Sequence, residues 1–546
     1  MTRITARLLL RLRQYRSQLR PLAETLRIWV FGALIGVAGG YAVLGFQLAI
    51  DSVATLLYGV DETLLASAGH ALPAWRVMLA PVIGGLIVSA ALLSARHFGW
   101  LPEGRPQGIT EVIESRAITG VRISLKEGAA SAAISAISLG SGASAGREGP
   151  AVHLGASIAQ AVTNLVGLRA RDARTLLGCG AAAAVSASFN APIAGVLFAL
   201  EVVLGNYALS IFGPVTLASV MAAVIVRSHV GDSPAFFVPP YAPATPADVP
   251  FAAAFGVVAG LTALAFLFST SKLTRWVGDF CRRTKAPIEL APVVAGVAIG
   301  GVGVFYPEVL SVGYEATQNA LENEYGIRLL TIFLILKIFA TAITLSCRFG
   351  GGVFSTGVYL GAMSGAAYGL VLSRVFEGFV AEPTFYAMVG IGAVAGAILG
   401  APISTTLVVF ELTRDYQMTI ALLAAVSVAT FVTQSAFGRS YFHWQLSRRG
   451  YDLSDGPQGV VLQTTRVRDV MMRLPDADEP LSEEAPRLLV TTNLGDALAA
   501  MEEADKPGLP VVGLDDDTMP IGYLSRVKAL AAYNKALIDL HVEHHR

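Results

Sequence analysis

GREGPAVHLGA, residues 146–156, sets Arg147 and Glu148 side by side between Gly146 and Gly149 and follows them with Pro150. The surroundings are apolar: of 546 residues, 54% are hydrophobic and 15% charged, against about 25% charged in an ordinary soluble domain. Eight uncharged runs, 28–50, 77–95, 175–200, 202–226, 249–271, 349–373, 383–410 and 416–438, reach or approach the roughly 20 residues that a bilayer crossing needs. The expected fold class is an all-α polytopic membrane protein.

The opening stretch has an echo. GGVFSTGVYLGA, residues 351–362, aligns with it through Val152 and Val358 and through a shared Leu-Gly-Ala. A second pair is stronger: APIAGVLFALE (191–201) and APISTTLVVFELT (401–413) share Ala-Pro-Ile, a Leu and a Glu at identical offsets, Pro192 standing to Glu201 as Pro402 stands to Glu411. The duplicated order is a Gly-rich break, an apolar helix, then an Ala-Pro helix ending in Glu.

Charge patterning gives the two copies opposite directions. Basic residues collect in the N-terminal arm, with Arg at 3, 7, 11, 13, 16 and 20, in KLTRWVGDFCRRTK (272–285) and in RSYFHWQLSRRG (439–450), as cytoplasmic segments do. The segment 231–250 has no Lys or Arg and five prolines in its last twelve residues, which places it outside. A chain that is inside at 20, outside at 240 and inside again at 440 has opposed halves, the mark of an inverted repeat.

Glycine and proline interrupt the spans at 146, 149, 150, 192, 350–352, 400 and 402, so several helices start at breaks with N–H groups that lack intrahelical partners. Such a start carries about half a positive charge, and two or three aimed at one point bind an anion without a buried cation. Glycines let the backbone approach the ion, and Phe354 would wall the path with an apolar ring. At the start of such a helix the carboxylate of Glu148 is itself the competing anion, able to leave when protonated or displaced. The alternative is a helix cap neutralised by Arg147. Glu201 and Glu411 read as helix-terminus or buried polar partners, with a transport role as the alternative, and Ser135, Ser138, Ser141 and Ser144 as packing residues.

GREGP (146–150), GGVFST (351–356) and FNAPIAGVLFALE (189–201) resemble the ClC family of chloride channels and proton/chloride antiporters, the similarity covering about residues 25–450. The resemblance implies a homodimer with one pore per subunit, built as a ClC-type inverted repeat with broken helices, in a bacterial inner membrane with both termini cytoplasmic. Glu148 matches the family's gate and proton acceptor, and the amides of Gly149, Val353 and Phe354 its anion sites, with Gly146, Arg147, Pro150, Gly352 and Thr356 in the supporting motifs. The family's Gly-Ser-Gly anion motif corresponds to RPQGITEVIES (105–115), not to the GSG at 140–142. Gln107 therefore stands where the family has its chloride-coordinating Ser, and Phe442 where it has Tyr. Val202 replaces the second of two acids that the transporters carry, which implies a channel-like or weakly proton-coupled pore; the alternative is a proton/chloride antiporter with a substitute proton pathway.

After residue 450 the composition turns soluble. VRDVM (467–471) and LGDALAAMEEADKPGLPVVGLDDDTMPIGYLSR (494–526) resemble one CBS module, a small α/β unit that is expected to pair across the dimer. Lys528 stands where the nucleotide-binding version has Asp three residues after Ser525, against ribose recognition. The expected organisation is a cytoplasmic amphipathic arm 1–24, repeats 25–230 and 249–450 around an extracytoplasmic linker 231–248, a linker 451–465, the module 466–536 and a tail 537–546.

Other classes fall away. The 40 basic and 40 acidic residues cancel and form no basic stripe with interleaved aromatics, so no nucleic-acid partner is expected. Cys179, Cys281 and Cys347 lack metal-ligand spacing, and neither metal nor cofactor is expected. Chloride is the substrate, protons a possible second one, and the bilayer the setting. An intramembrane serine protease using Ser144 and His153 is a remote alternative, since a dyad needs hydrogen-bond reach.

Overall fold

The computed structural model describes residues 3–101, 104–117, 123–232, 236–241, 245–377, 379–451, 459, 461–463, 465–473, 481–482, 485–514 and 519–545. Up to residue 448 the regular structure is helical: α1 (Arg3–Tyr58), α2 (Leu65–Ala71), α3 (Ala74–His97), α4 (Ile109–Ala117), α5 (Leu125–Gly140), α6 (Glu148–Val166), α7 (Ala170–Phe189), α8 (Pro192–Phe198), α9 (Leu209–Val230), α10 (Asp248–Thr284), α11 (Ala291–Phe305), α12 (Tyr314–Leu321), α13 (Ile327–Ser346), α14 (Phe354–Val375), α15 (Pro383–Leu399), α16 (Pro402–Thr413), α17 (Tyr416–Phe437) and α18 (Tyr441–Arg448).

The breaks seen in the sequence end and start these helices. Asn190 at φ +55° and Gly400 at φ +70° stop α7 and α15 in the left-handed conformation. The Ala-Pro steps that follow start α8 and α16 with proline in the first turn, where the missing N–H has no intrahelical acceptor to lose. The runs 175–200 and 383–410 thus each hold two helices.

Among the described residues seven helices, over 25–58, 74–97, 209–230, 248–284, 288–305, 327–346 and 416–448, are long and apolar enough to cross a membrane. Two of them, 288–305 and 327–346, lie outside the uncharged runs. The first begins at Ile288 and carries Glu289 as its second residue, and the second contains Lys337, which is fully buried. The Lys337 ammonium donates to the carbonyls of Val309 at 3.1 Å and Ser311 at 2.7 Å and stacks 4.7 Å from the Tyr359 ring centre. A charge so partnered no longer argues against a span.

Close contacts make the duplication concrete. A Cβ on Gly155 of α6 would fall 2.3 Å from the Gly180 carbonyl oxygen of α7, and one on Gly361 of α14 would fall 2.2 Å from that of Gly390 in α15. The acids at the ends of the Ala-Pro helices complete the symmetry. Glu201 accepts from the N–H groups of Ile403 at 3.1 Å and Ser404 at 2.8 Å. Glu411 accepts from those of Ile193 at 3.0 Å and Ala194 at 2.7 Å. Each repeat caps the other's helix, and such reciprocity is what a two-fold relation produces.

The chain divides into two compact units, residues 1–113 with 122–441, and 114–121 with 442–546. The second carries a four-stranded sheet in the order β1-β4-β3-β2, with β1 (Met472–Arg473), β2 (Leu488–Leu489), β3 (Gly508–Val512) and β4 (Pro520–Ser525), and the helices α19 (Val467–Val470), α20 (Leu494–Glu503) and α21 (Arg526–His545). Strands β2 and β3 are parallel; β4 is antiparallel to both β1 and β3. Leu494, Met501, Leu509, Val511 and Leu524 are fully buried in its core. Within the same unit Arg449 pairs with Glu114. Much of the expected linker 451–465 and part of 231–248 lie outside the described residues.

Candidate functional site

The two Gly-rich breaks lie back to back. Gly146 N–H donates to the Gly352 carbonyl at 2.7 Å and Gly352 N–H to the Gly146 carbonyl at 2.6 Å, a two-bond bridge that brings the starts of α6 and α14 together. The contact has no room for a side chain: a Cβ on Gly352 would sit 2.8 Å from Gly149 N. Gly146 and Gly352 are the residues that the alignment of Val152 with Val358 makes counterparts.

Glu148 is the first residue of α6 and is fully buried. Its side chain leaves its own helix. Oε2 accepts the Ser355 N–H at 3.2 Å, and Oε1 accepts the Ser355 hydroxyl. Ser355 is the second residue of α14, so its N–H has no acceptor within that helix, and the positive end of the helix dipole faces the carboxylate. The carboxylate therefore sits on donors that would bind a free anion. The reading of Glu148 as a cap on its own helix neutralised by Arg147 does not describe this geometry. Arg147 precedes α6 without capping it. It stacks its guanidinium 4.7 Å from the Tyr314 ring centre and donates to the Ser188 carbonyl at 3.4 Å.

The other residues of the two motifs take their places around this contact. Gly149 is second and Pro150 third in α6, while Val353 immediately precedes α14 and Phe354 opens it. The amides of Gly149, Val353 and Phe354 thus belong to helix starts. The Phe354 ring packs 4.7 Å from Phe189 and 5.7 Å from Phe198, centre to centre, which makes an apolar wall. Thr356 is fully buried, its hydroxyl 3.5 Å from that of Thr341, which is 3.4 Å from that of Ser144.

A third helix start lies close by. A Cβ on Gly108, just before α4, would lie 3.8 Å from the Gly149 carbonyl carbon. This start is already furnished with an acid: Gly108 N–H donates to Glu111 Oε2 at 2.6 Å, and Glu111 pairs with Arg105 at 2.9 Å. The Gln107 N–H donates to the Ser131 hydroxyl at 3.1 Å. Phe442, on α18, is buried and belongs to the second unit.

GSG at 140–142 has a packing role: Gly142 stands at φ +98°, and the Tyr58 hydroxyl donates to the Ser141 carbonyl at 3.0 Å. His153 is buried with both ring nitrogens unpartnered, so Ser144 has no base and the protease dyad is not assembled. Among the described residues no group of His, Cys, Asp and Glu could hold a metal ion.

The sequence reading passed over Ser355, although the alignment sets it opposite Gly149 in the motif's most constrained position. It also passed over Ser188 and Tyr314, which meet Arg147 only in three dimensions.

Comparison with known proteins identifies the family and the fold. The family model described as voltage gated chloride channel matches residues 84–434. A ClcB-like chloride channel protein of Ralstonia nicotianae is 30% identical over 451 residues, covering 82% of this chain and 99% of that protein. An H(+)/Cl(−) exchange transporter, ClcA, of Salmonella paratyphi B is 27% identical over 458 residues, covering 81% and 93%. The crystal structure of a slow cyanobacterial Cl−/H+ antiporter superposes with a TM-score of 0.68 at 22% identity, covering 78% of this chain and 98% of that one.

Proposed function

The chain belongs to the voltage gated chloride channel family, whose work is anion transport, and from that premise we propose that it conducts chloride through a pore gated by Glu148. The observation that carries the proposal is the carboxylate of Glu148 on the Ser355 N–H. While charged it fills an anion position at the start of α14; when protonated it loses most of its attraction for the helix dipole and yields to chloride. The amides of Gly149, Val353 and Phe354 then receive the ion, Phe354 supplying the apolar wall.

The pore is channel-like or weakly proton-coupled. Val202, in the turn that continues α8, cannot titrate, so protons lack the second acid through which the resembled transporters pass them. Gln107 contributes a side-chain amide at the inner end, while Phe442, which matches the resembled family's Tyr, has no hydroxyl to offer an ion. A second reading, proton/chloride exchange by a substitute route, is favoured by the names of two similar proteins, an H(+)/Cl(−) exchange transporter and a Cl−/H+ antiporter.

The protein works as a homodimer in a bacterial inner membrane with both termini cytoplasmic. The tail is a single CBS-like module with a structural role and no bound nucleotide. Purified protein in liposomes separates the two readings when chloride efflux and external pH are recorded together. Chloride flux without proton movement supports the channel; stoichiometric proton uptake against a chloride gradient establishes the exchanger instead.

A further inference from the structure

Beside the Glu148–Ser355 contact lies a cluster of buried donors with nothing to donate to. Arg147 Nε, Tyr314 Oη and Ser188 Oγ are all buried without a hydrogen-bond partner. Tyr314 is 7% exposed and Ser188 4%, so solvent does not satisfy them. They form one group: the Arg147 guanidinium lies 4.7 Å from the Tyr314 ring centre and donates to the Ser188 carbonyl at 3.4 Å. The Tyr314 hydroxyl feels the charges of Arg147, Glu148 and Glu62 and lies at the edge of hydrogen-bond reach of the Ser355 side chain, which places the group at the gate.

Arg147 Nε can only donate, and the two hydroxyls can rotate to donate as well. Leaving such groups unpaired is costly, so the site calls for an acceptor. Among the described residues no carboxylate comes within 4.0 Å of Arg147. The acids that it senses are Glu62, Glu148 and Asp51. Glu62 is turned to other donors, the Ser311 hydroxyl at 2.9 Å and the Val312 N–H at 3.2 Å, and Glu148 is held by Ser355. Among the described residues no carboxylate is left to accept from Arg147 Nε.

We propose that Arg147 Nε, Tyr314 Oη and Ser188 Oγ hold a small anion at a staging position next to Glu148, distinct from the helix-start amides, while the carboxylate is still in place. The staged ion waits one residue from the gate and repels its carboxylate, so release of Glu148 from Ser355 and entry of the ion become one exchange. The inference rests on Glu148 acting as the gate.

Bromide is the probe. Crystals of the full-length protein grown in bromide are expected to show anomalous density against Arg147 Nε with Glu148 still on Ser355. Tyr314→Phe keeps the ring beneath the guanidinium and removes only the hydroxyl. It is expected to weaken that density and to raise the half-saturating chloride concentration for flux in liposomes about tenfold. Ser188→Ala serves as a second, equally mild variant. Only water at Arg147 Nε in bromide, or an unchanged half-saturating concentration in both variants, overturns the staging position. Neither result touches the gate, whose own failure would show as a Glu148→Gln variant with the wild-type pH profile.

Discussion

Glu148 turns away from the arginine beside it and onto Ser355, more than two hundred residues later in the chain, accepting the Ser355 N–H at 3.2 Å and its hydroxyl. The contact joins the two repeats at their Gly-rich breaks and gives the acid one task, to occupy the start of α14. In the proposed function its charge decides whether that place is filled by the protein or by an ion.

Glu148→Gln removes the titration and leaves the shape. Wild-type flux should rise as pH falls, because protonation frees the side chain. The variant should conduct at a rate nearly independent of external pH. Chloride efflux from liposomes across a pH series measures both, and an unchanged pH profile would return Glu148 to a structural role.

Ser355→Ala deletes the hydroxyl and keeps the N–H. A hydrogen bond to a charged group is worth about 1.5–3 kcal/mol. The carboxylate is then held less firmly, so chloride efflux at a fixed pH should rise about tenfold. A fall in efflux would mean that the hydroxyl opposes the closed state.

Much of this is legible in the sequence. The Ala-Pro-to-Glu match located α8 and α16, and the alignment of Val152 with Val358 made Gly146 and Gly352 counterparts, which the bridge between them joins. Three features were not legible, each because its partner is remote in sequence. Ser355 earns its role from Glu148 across the repeat boundary. The span 327–346 was hidden by Lys337, whose charge is answered by the carbonyls of Val309 and Ser311. The start of α4 reads as an anion site until Glu111 is seen to cap it.

Gly352→Ala tests the bridge. Its Cβ would sit 2.8 Å from Gly149 N, so one or both helix starts must move; overpacking of this kind costs about 1–3 kcal/mol. Gly301, on α11, has nothing within 4 Å of a built Cβ, and Gly301→Ala should be neutral or stabilising by about 1 kcal/mol through helix propensity. Thermal unfolding in detergent should separate the pair, Gly352→Ala melting lower and conducting poorly. Equal melting temperatures would show that the breaks tolerate a side chain.

Glu201→Gln and Glu411→Gln test whether these acids hold the repeats together or carry protons. Each carboxylate caps the other repeat's Ala-Pro helix through two N–H groups, and a glutamine oxygen can accept only part of that pattern. Loss of an N-terminal capping interaction costs about 0.5–2 kcal/mol. Because the two sites are counterparts, the two variants should lose similar amounts of thermal stability. Their flux should keep the wild-type dependence on pH, since neither acid sits on the Ser355 donors. A changed pH dependence in Glu201→Gln alone would break the symmetry and make Glu201 a proton carrier on the side where Val202 offers none.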